Sequence, residues 1–334
     1  MRRHAFVAVA AVVTLALPPL LSSSDLAVYI LLGLAAIVTV GLSLLMGYAG
    51  QVSLGQASLY AVGGYTAGLL AVRGVPTLLG LLAAPLVAAA VAAVVGVSML
   101  RLRGHYLAFA TLALQLILLS VLSQADWAGG AIGLQGIPRL SVAGMEFEDD
   151  VSYAYLTWGV LALTLLVTYN VINSRAGRGL RALATSETAA AASGVPVGRY
   201  RLAVFALSAA FAGLAGGVYA YYVGYLAPGS FPILLSIEYV VMATVGGLGT
   251  VAGPVVGATA IILLVQVLTD IGTRPGMPSY APSVLSYAVY AVLLVLVVLF
   301  LPRGIVPAAR ELRLRVVDAV STRKVSTRKV RTKQ

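Results

Sequence analysis

"SRAGRGLRALATSETAAAASGVPVGRYR", Ser174–Arg201, holds five arginines and one glutamate between two long apolar runs, at about 152–172 and 202–222. A charged, helix-prone island between two greasy segments is not how a soluble core is built. Over its 334 residues the chain is 60% hydrophobic and 10% charged, with a mean hydropathy of +0.98. A soluble chain carries about 25% charge, and here too few polar residues remain to cover a core. Apolar runs of about 17–23 residues recur along the chain, which is the pattern of membrane-spanning helices. The fold class is therefore all-α, a polytopic transmembrane helical bundle.

The spans read as about 6–21, 26–45, 47–70, 78–100, 106–122, 152–172, 202–222, 231–246, 252–269 and 283–301. The third is interrupted by polar residues and glycines, and the eighth is short. Ten spans make residues 1–301 a single transmembrane domain and leave 302–334 as a basic tail. They also place both termini on one side. Arg2, Arg3, Arg101, Arg103, the island arginines and the tail share that side, while Asp25, Asp126, Glu146, Glu148, Asp149, Asp150 and Asp270 lie on the other with only Arg73, Arg139 and Arg274 against them. Lysine and arginine stay cytoplasmic. The island, 173–201, is thus a cytoplasmic loop and 123–151 an external one. The formal charge of +11 is a topology signal that calls for no nucleic acid. The first segment also has the basic start and small residues of a signal peptide; it is taken here as a retained span. In the tail, Val320–Lys324 repeats at Val325–Lys329, a polar basic repeat suited to anionic lipid at about 1 kcal/mol per basic residue.

Missing residues narrow the function. There is no cysteine, so disulfides, thiolate metal sites and cysteine nucleophiles are excluded. The first lysine is Lys324, so the membrane body holds no GxxxxGK[ST] phosphate loop. His4 and His105 are too far apart in sequence to suggest a metal site. Glu238 is the one firm intramembrane acid, thin support for a carrier driven by protons or sodium. No catalytic constellation is present, and the reading is of a non-enzyme with no cofactor of its own.

A chain with many spans and no energy source needs a partner, and the island is where one would act. Arg175–Leu183 reads as a short basic helix with Leu180 and Leu183 on one side. Thr185 and Ser186 are N-cap types, Glu187 suits the first turn of a second helix, and Ala189–Ala192 are strong helix formers. Gly194 and Pro196 stop it. So short a helix is unstable alone in water and must dock, either on the chain's own spans or on a cytoplasmic partner.

These residues resemble the coupling loop of ABC importer permeases, and most closely the LivM-type permeases of branched-chain amino acid importers. "GYAGQVSLGQASLYAVGGYTAGLLA" (Gly47–Ala71), "RLRGHYLAFATLAL" (Arg101–Leu114), "GGAIGLQGIP" (Gly129–Pro138), "SIEYVVMATVGGLGTVAGPVVGA" (Ser236–Ala258) and "LFLPRGI" (Leu299–Ile305) resemble the family's segments, in order, over about 26–305. The resemblance implies an importer of branched-chain or other apolar amino acids in a bacterial inner membrane. Its partners would be a second, related permease, two cytoplasmic ATPase subunits that bind the ATP, and an extracytoplasmic substrate-binding protein. It implies ATPase-coupling roles for Arg178, Arg181, Glu187, Ala190, Gly194 and Arg199. The chain departs from the family at Ala184–Ser186, where an Arg-Glu-Asn-like run is common, at Ala191, often an acid, and at Leu116, near which a glutamate is common and Gln115 stands instead.

Glycines crowd two regions in corresponding places of the two halves, Gly47–Gly68 and Gly246–Gly257. Broken helices of this kind mark a translocation path where they line a cavity, although GxxxG spacings also serve close packing. Gln51, Ser53 and Gln56, with Gln115 and Glu238, are the candidate path residues. The amides either line the path or bond helices together. A permease for urea or short amides, a secondary carrier with its own ion coupling, and a non-transporting scaffold or channel stay open as alternatives.

Overall fold

The computed structural model describes residues 16–99, 105–142, 145–273 and 304–309, with Thr14, Ala288, Val292 and Glu311 singly. Most of the first expected span, the tenth, the arginines at 101 and 103, and most of the basic tail lie outside them.

Ser22 starts the first long helix, α1 (Ser23–Ala49), by accepting a hydrogen bond from the Asp25 amide, with Asp25 in the first turn. Nearly every residue from Gly33 onward is buried, so α1 is the central post of the bundle. It ends at Gly50, whose φ of 65° is the left-handed cap a side chain resists. The chain is then non-helical over 50–55 before α2 (Gln56–Val72). The break expected inside a span at about 47–70 therefore falls before the helix, over 50–55, and the preceding helix is longer than the expected 26–45.

There follow α3 (Thr77–Met99), α4 (His105–Gln124) and α5 (Asp150–Asn173). The short pair α6 (Arg175–Thr185) and α7 (Glu187–Ala192) leads into α8 (Val197–Val223). The turn Pro228–Ser230 leads into α9 (Ile233–Gly246), which precedes α10 (Gly253–Gly272). Among the described residues, seven helices are long and apolar enough to cross a membrane: α1, α3, α4, α5, α8, α9 with its leading turn, and α10. At 17 residues, α2 is slightly shorter.

Packing against α1 and α8 organises the rest. α2 and α3 lie on α8, α5 lies on α1, and α9 and α10 pair with each other and with α1. Small residues allow these approaches. A Cβ on Gly63 would strike the Gly213 backbone, and one on Gly257 would strike the Met242 carbonyl. Where the path and packing readings of the glycines compete, these positions serve packing. The outer sides of α3, α4 and α5 are apolar and exposed, as at Leu86, Phe109 and Leu166, as lipid or a partner helix requires.

The bundle has two distinct ends. At one, α6 and α7 join α5 to α8, and Gly50 approaches Ala184. At the other, residues 125–149 form a folded loop. It holds a two-residue antiparallel pair, β1 (Ser141–Val142) and β2 (Met145–Glu146), and a bridge from Leu134 to Leu226. Tyr153 clamps this loop to the bundle, since its hydroxyl accepts from the Leu140 amide at 3.0 Å and donates to the Tyr221 carbonyl at 2.9 Å.

Candidate functional site: a discontinuous helix and a carboxylate-lined cavity

The non-helical segment 50–55 is largely covered by the bundle, with Gln51, Ser53 and Gly55 buried. Gly47, just before it, is against Gly249, and the Tyr48 hydroxyl donates to the Gly249 carbonyl at 2.6 Å. Ala57, just after it, meets Ser236 on α9. Ser236 lies ten residues from Gly246, about 15 Å along the helix at 1.5 Å per residue. Between these two contacts residues 50–55 make no helical ladder, which inside a membrane bundle is tolerated only when the backbone is shielded or lines a cavity.

Shielding comes from other helices. The Leu54 amide donates to Thr111 Oγ1 of α4 at 2.9 Å, and the Ala57 amide to Ser236 Oγ of α9 at 2.9 Å. Ser236 donates onward to Gln115 Oε1 at 2.7 Å, and Gln115 Nε2 donates to the Pro232 carbonyl at 3.1 Å. Gln115, fully buried, therefore links the starts of α2 and α9 through one serine. Gln56, also fully buried, donates from Nε2 to Ser208 Oγ of α8 at 3.0 Å. Ser53 Oγ accepts from the Gly55 amide. The carboxamide oxygens of Gln51 and Gln56 are buried without a partner among the described residues.

Glu238 stands apart from this group. Two residues beyond Ser236, it points about 200° around α9 at 100° per residue. There it lines a cavity of about 320 Å³ whose wall combines aliphatic side chains such as Leu31 and Ile262 with Tyr60, Tyr219 and Tyr239 and the polar Ser230 and Gln266. The five path candidates thus divide. Gln56 and Gln115 bond neighbouring helices, Ser53 closes its own turn, Gln51 has an unpaired carboxamide oxygen among the described residues, and Glu238 lines the cavity.

The island folds as its local signals direct. Ser174 caps α6 through the Gly177 amide, and Ser186 caps α7 through the Ala189 amide. Gly194, at φ 80°, ends the second helix, and the Val195 amide turns back to the Ala190 carbonyl at 3.0 Å. Leu180, Leu183 and Ala190 face inward; Arg178, Ala191 and Arg199 are exposed. Two side chains tie the island to its flanking spans. Arg181 Nη1 donates to the Ile172 carbonyl at the end of α5 at 3.0 Å. The Arg201 guanidinium, on α8, grips both Glu187 oxygens at 3.2 and 3.0 Å. Spacing rules give no signal for a pair fourteen residues apart. Thr111, Ser208 and Ser236 went unread because a short hydroxyl in an apolar helix most often bonds its own backbone.

A polytopic helical bundle with a non-helical segment between two of its packed helices has the architecture seen in solute-moving membrane proteins. Sequence comparison makes this particular: the chain belongs to the family of branched-chain amino acid transport system permease components, which it matches over residues 25–298. That family is one of transport permeases, not enzymes. The chain is 29% identical over 308 residues to the high-affinity branched-chain amino acid transport system permease protein LivM of Salmonella typhimurium, covering 85% of this chain and 68% of that protein. The same figures hold for LivM of Escherichia coli. It is 26% identical over 214 residues to a probable LivM of Methanocaldococcus jannaschii, covering 62% and 61% of the two chains. No solved structure matches it significantly.

Proposed function

We propose that this chain is the membrane-spanning subunit of an ATP-driven importer of branched-chain or other apolar amino acids. In this reading two cytoplasmic ATPase subunits act on 173–201, a second related permease completes the pathway, and an extracytoplasmic binding protein delivers substrate to the 123–151 end. The protein resides in a bacterial inner membrane with the island and both termini on the cytoplasmic side.

One observation carries the coupling role: the island is pinned to both neighbouring spans while its outer face stays free. Arg181 holds it to α5 and Glu187–Arg201 holds it to α8. Ala190 is buried beneath, and Ala189, Ala191 and Ala192 are exposed. A push on α7 therefore tilts two spans at once. Within the implied coupling set, Arg181, Glu187 and Ala190 serve to hold the island, and Arg178, Arg199 and the end at Gly194 are left to meet an ATPase.

The test is Ala191→Arg in the reconstituted complex. Ala191 is exposed among the described residues, so insertion and folding should be unchanged. A bulky charge at a docked face should cut uptake and substrate-stimulated ATP hydrolysis about tenfold or more, as truncating or blocking an interface centre does. Full uptake with full stimulation would remove the island from the coupling path.

A further inference from the structure

Glu238 is the described intramembrane carboxylate without a hydrogen bond or ion pair among the described residues, and it lines the cavity between α1, α9 and α10. A carboxylate at this depth is costly unless something compensates it. It lies five residues into α9, about 7.5 Å from the helix start, and no arginine, lysine or histidine lines the cavity with it. The rest of the lining is mostly aromatic and aliphatic, with Ser230 and Gln266 as further polar side chains. Tyr60, Tyr219 and Tyr239 form a continuous aromatic floor, with Tyr60 5.5 Å from Tyr219 and 6.4 Å from Tyr239 between ring centroids. Aromatic faces attract cations. The walls, as at Leu31 and Ile262, are aliphatic.

One carboxylate, three tyrosines and largely aliphatic walls suit a ligand with a cationic, hydrogen-bonding end and an aliphatic body. At about 320 Å³ the space falls in the range of small-molecule sites. We propose that Glu238 is the ammonium-recognition group of a substrate-contact site in this cavity, which takes primary ammonium compounds with an aliphatic body. This rests on the transport reading above for its occupant, an aliphatic α-amino acid. The ammonium pairs with Glu238, the alkyl side chain lies along Leu31 and Ile262, and the substrate carboxylate faces the tyrosine hydroxyls.

The absence of cysteine gives a direct readout. Leu31→Cys places a single thiol on the cavity wall at a position already 42% exposed; Val265→Cys does the same from the opposite wall and covers the case that one variant fails to fold. The maleimide labelling rate is measured on the purified complex with leucine, with isoamylamine, which keeps the ammonium alone, and with isocaproate, which keeps the carboxylate alone. At about ten times its dissociation constant a bound ligand slows labelling about tenfold. Leucine and isoamylamine should protect and isocaproate should not. Adding Glu238→Gln should raise the half-protecting concentration about tenfold or more. Equal protection in Glu238→Gln, or protection by isocaproate equal to that by isoamylamine, overturns the site. If leucine and isoamylamine fail to protect while the same complex imports leucine, the site is wrong and the transport reading stands. If both protect, dependent on Glu238, and no aliphatic amino acid is imported, the site stands and the transport reading falls.

Discussion

At the scale of single residues, the buried amides show why a polar group in an apolar run is ambiguous in sequence. Ser236 joins three partners in one relay: it accepts from the Ala57 amide, donates to Gln115, and through it reaches the Pro232 carbonyl. Ser236→Ala would orphan a backbone donor and a side-chain acceptor at once. Each unsatisfied buried group costs about 1–3 kcal/mol, so the variant should unfold earlier in a detergent melt, with Gln115→Leu close behind. Gln56 differs, because its oxygen is already unpaired and its nitrogen holds only Ser208. Interhelical bonds of this kind are worth about 0.6 kcal/mol in membranes. Gln56→Leu should therefore leave stability and assembly nearly intact. If uptake then falls steeply, the amide lines the route; wild-type uptake would reduce it to a helix contact. A Gln56→Leu, Ser208→Ala double-mutant cycle measures the bond itself.

At the scale of elements, legibility followed the range of the forces. The two island helices were readable because their signals are local: Ser186 and Gly194 act within a turn of the helix they bound. The helix break, expected within a span at about 47–70, falls at 50–55, ahead of α2 rather than inside it. Its position is fixed by Thr111 and Ser236 from α4 and α9 and by the contact of Gly47 with Gly249, and none of these is visible in a window of sequence. The same holds for Glu187, which reads as a free first-turn acid and is instead held by Arg201. A consequence can be tested on α7. Ala190→Pro removes the Ala190 amide bond to the Ser186 carbonyl and disrupts a six-residue helix, at about 3 kcal/mol or more for a helix interior. Substrate-stimulated ATP hydrolysis and uptake should both fall steeply while membrane insertion is normal. Glu187→Arg should act similarly by setting two arginines together, and the exchange Glu187→Arg with Arg201→Glu should recover part of the loss. Absence of any recovery would mean that Glu187 contacts something other than its partner on α8.

At the scale of the whole molecule, the charge asymmetry and the two ends of the bundle make one claim that does not depend on the total number of spans. The island and the 125–149 loop are joined by α5 alone, 24 residues long and apolar enough to cross a membrane. They must therefore face opposite sides of it, whatever the segments at about 6–21 and 283–301 do. Arginines gather at the island, and Glu146, Glu148, Asp149 and Asp150 gather at the loop, so the proposed orientation puts the island in the cytoplasm. Single cysteines read this directly in a chain that has none. Ala191→Cys is exposed on α7 and should react with a membrane-impermeant thiol reagent only in inside-out vesicles. For the loop, Gly133 looks inviting in the sequence, but its φ of 95° and the Leu226 carbonyl against it leave no room for a side chain. Ala131 is exposed in the same loop, and Ala131→Cys should react in intact, right-side-out membranes. Labelling of both from one side would mean that α5 does not cross the membrane. Labelling of each from the side opposite to that stated would keep the bundle and reverse its orientation, moving the ATPase-docking face to the wrong compartment and removing the coupling role of the island with it.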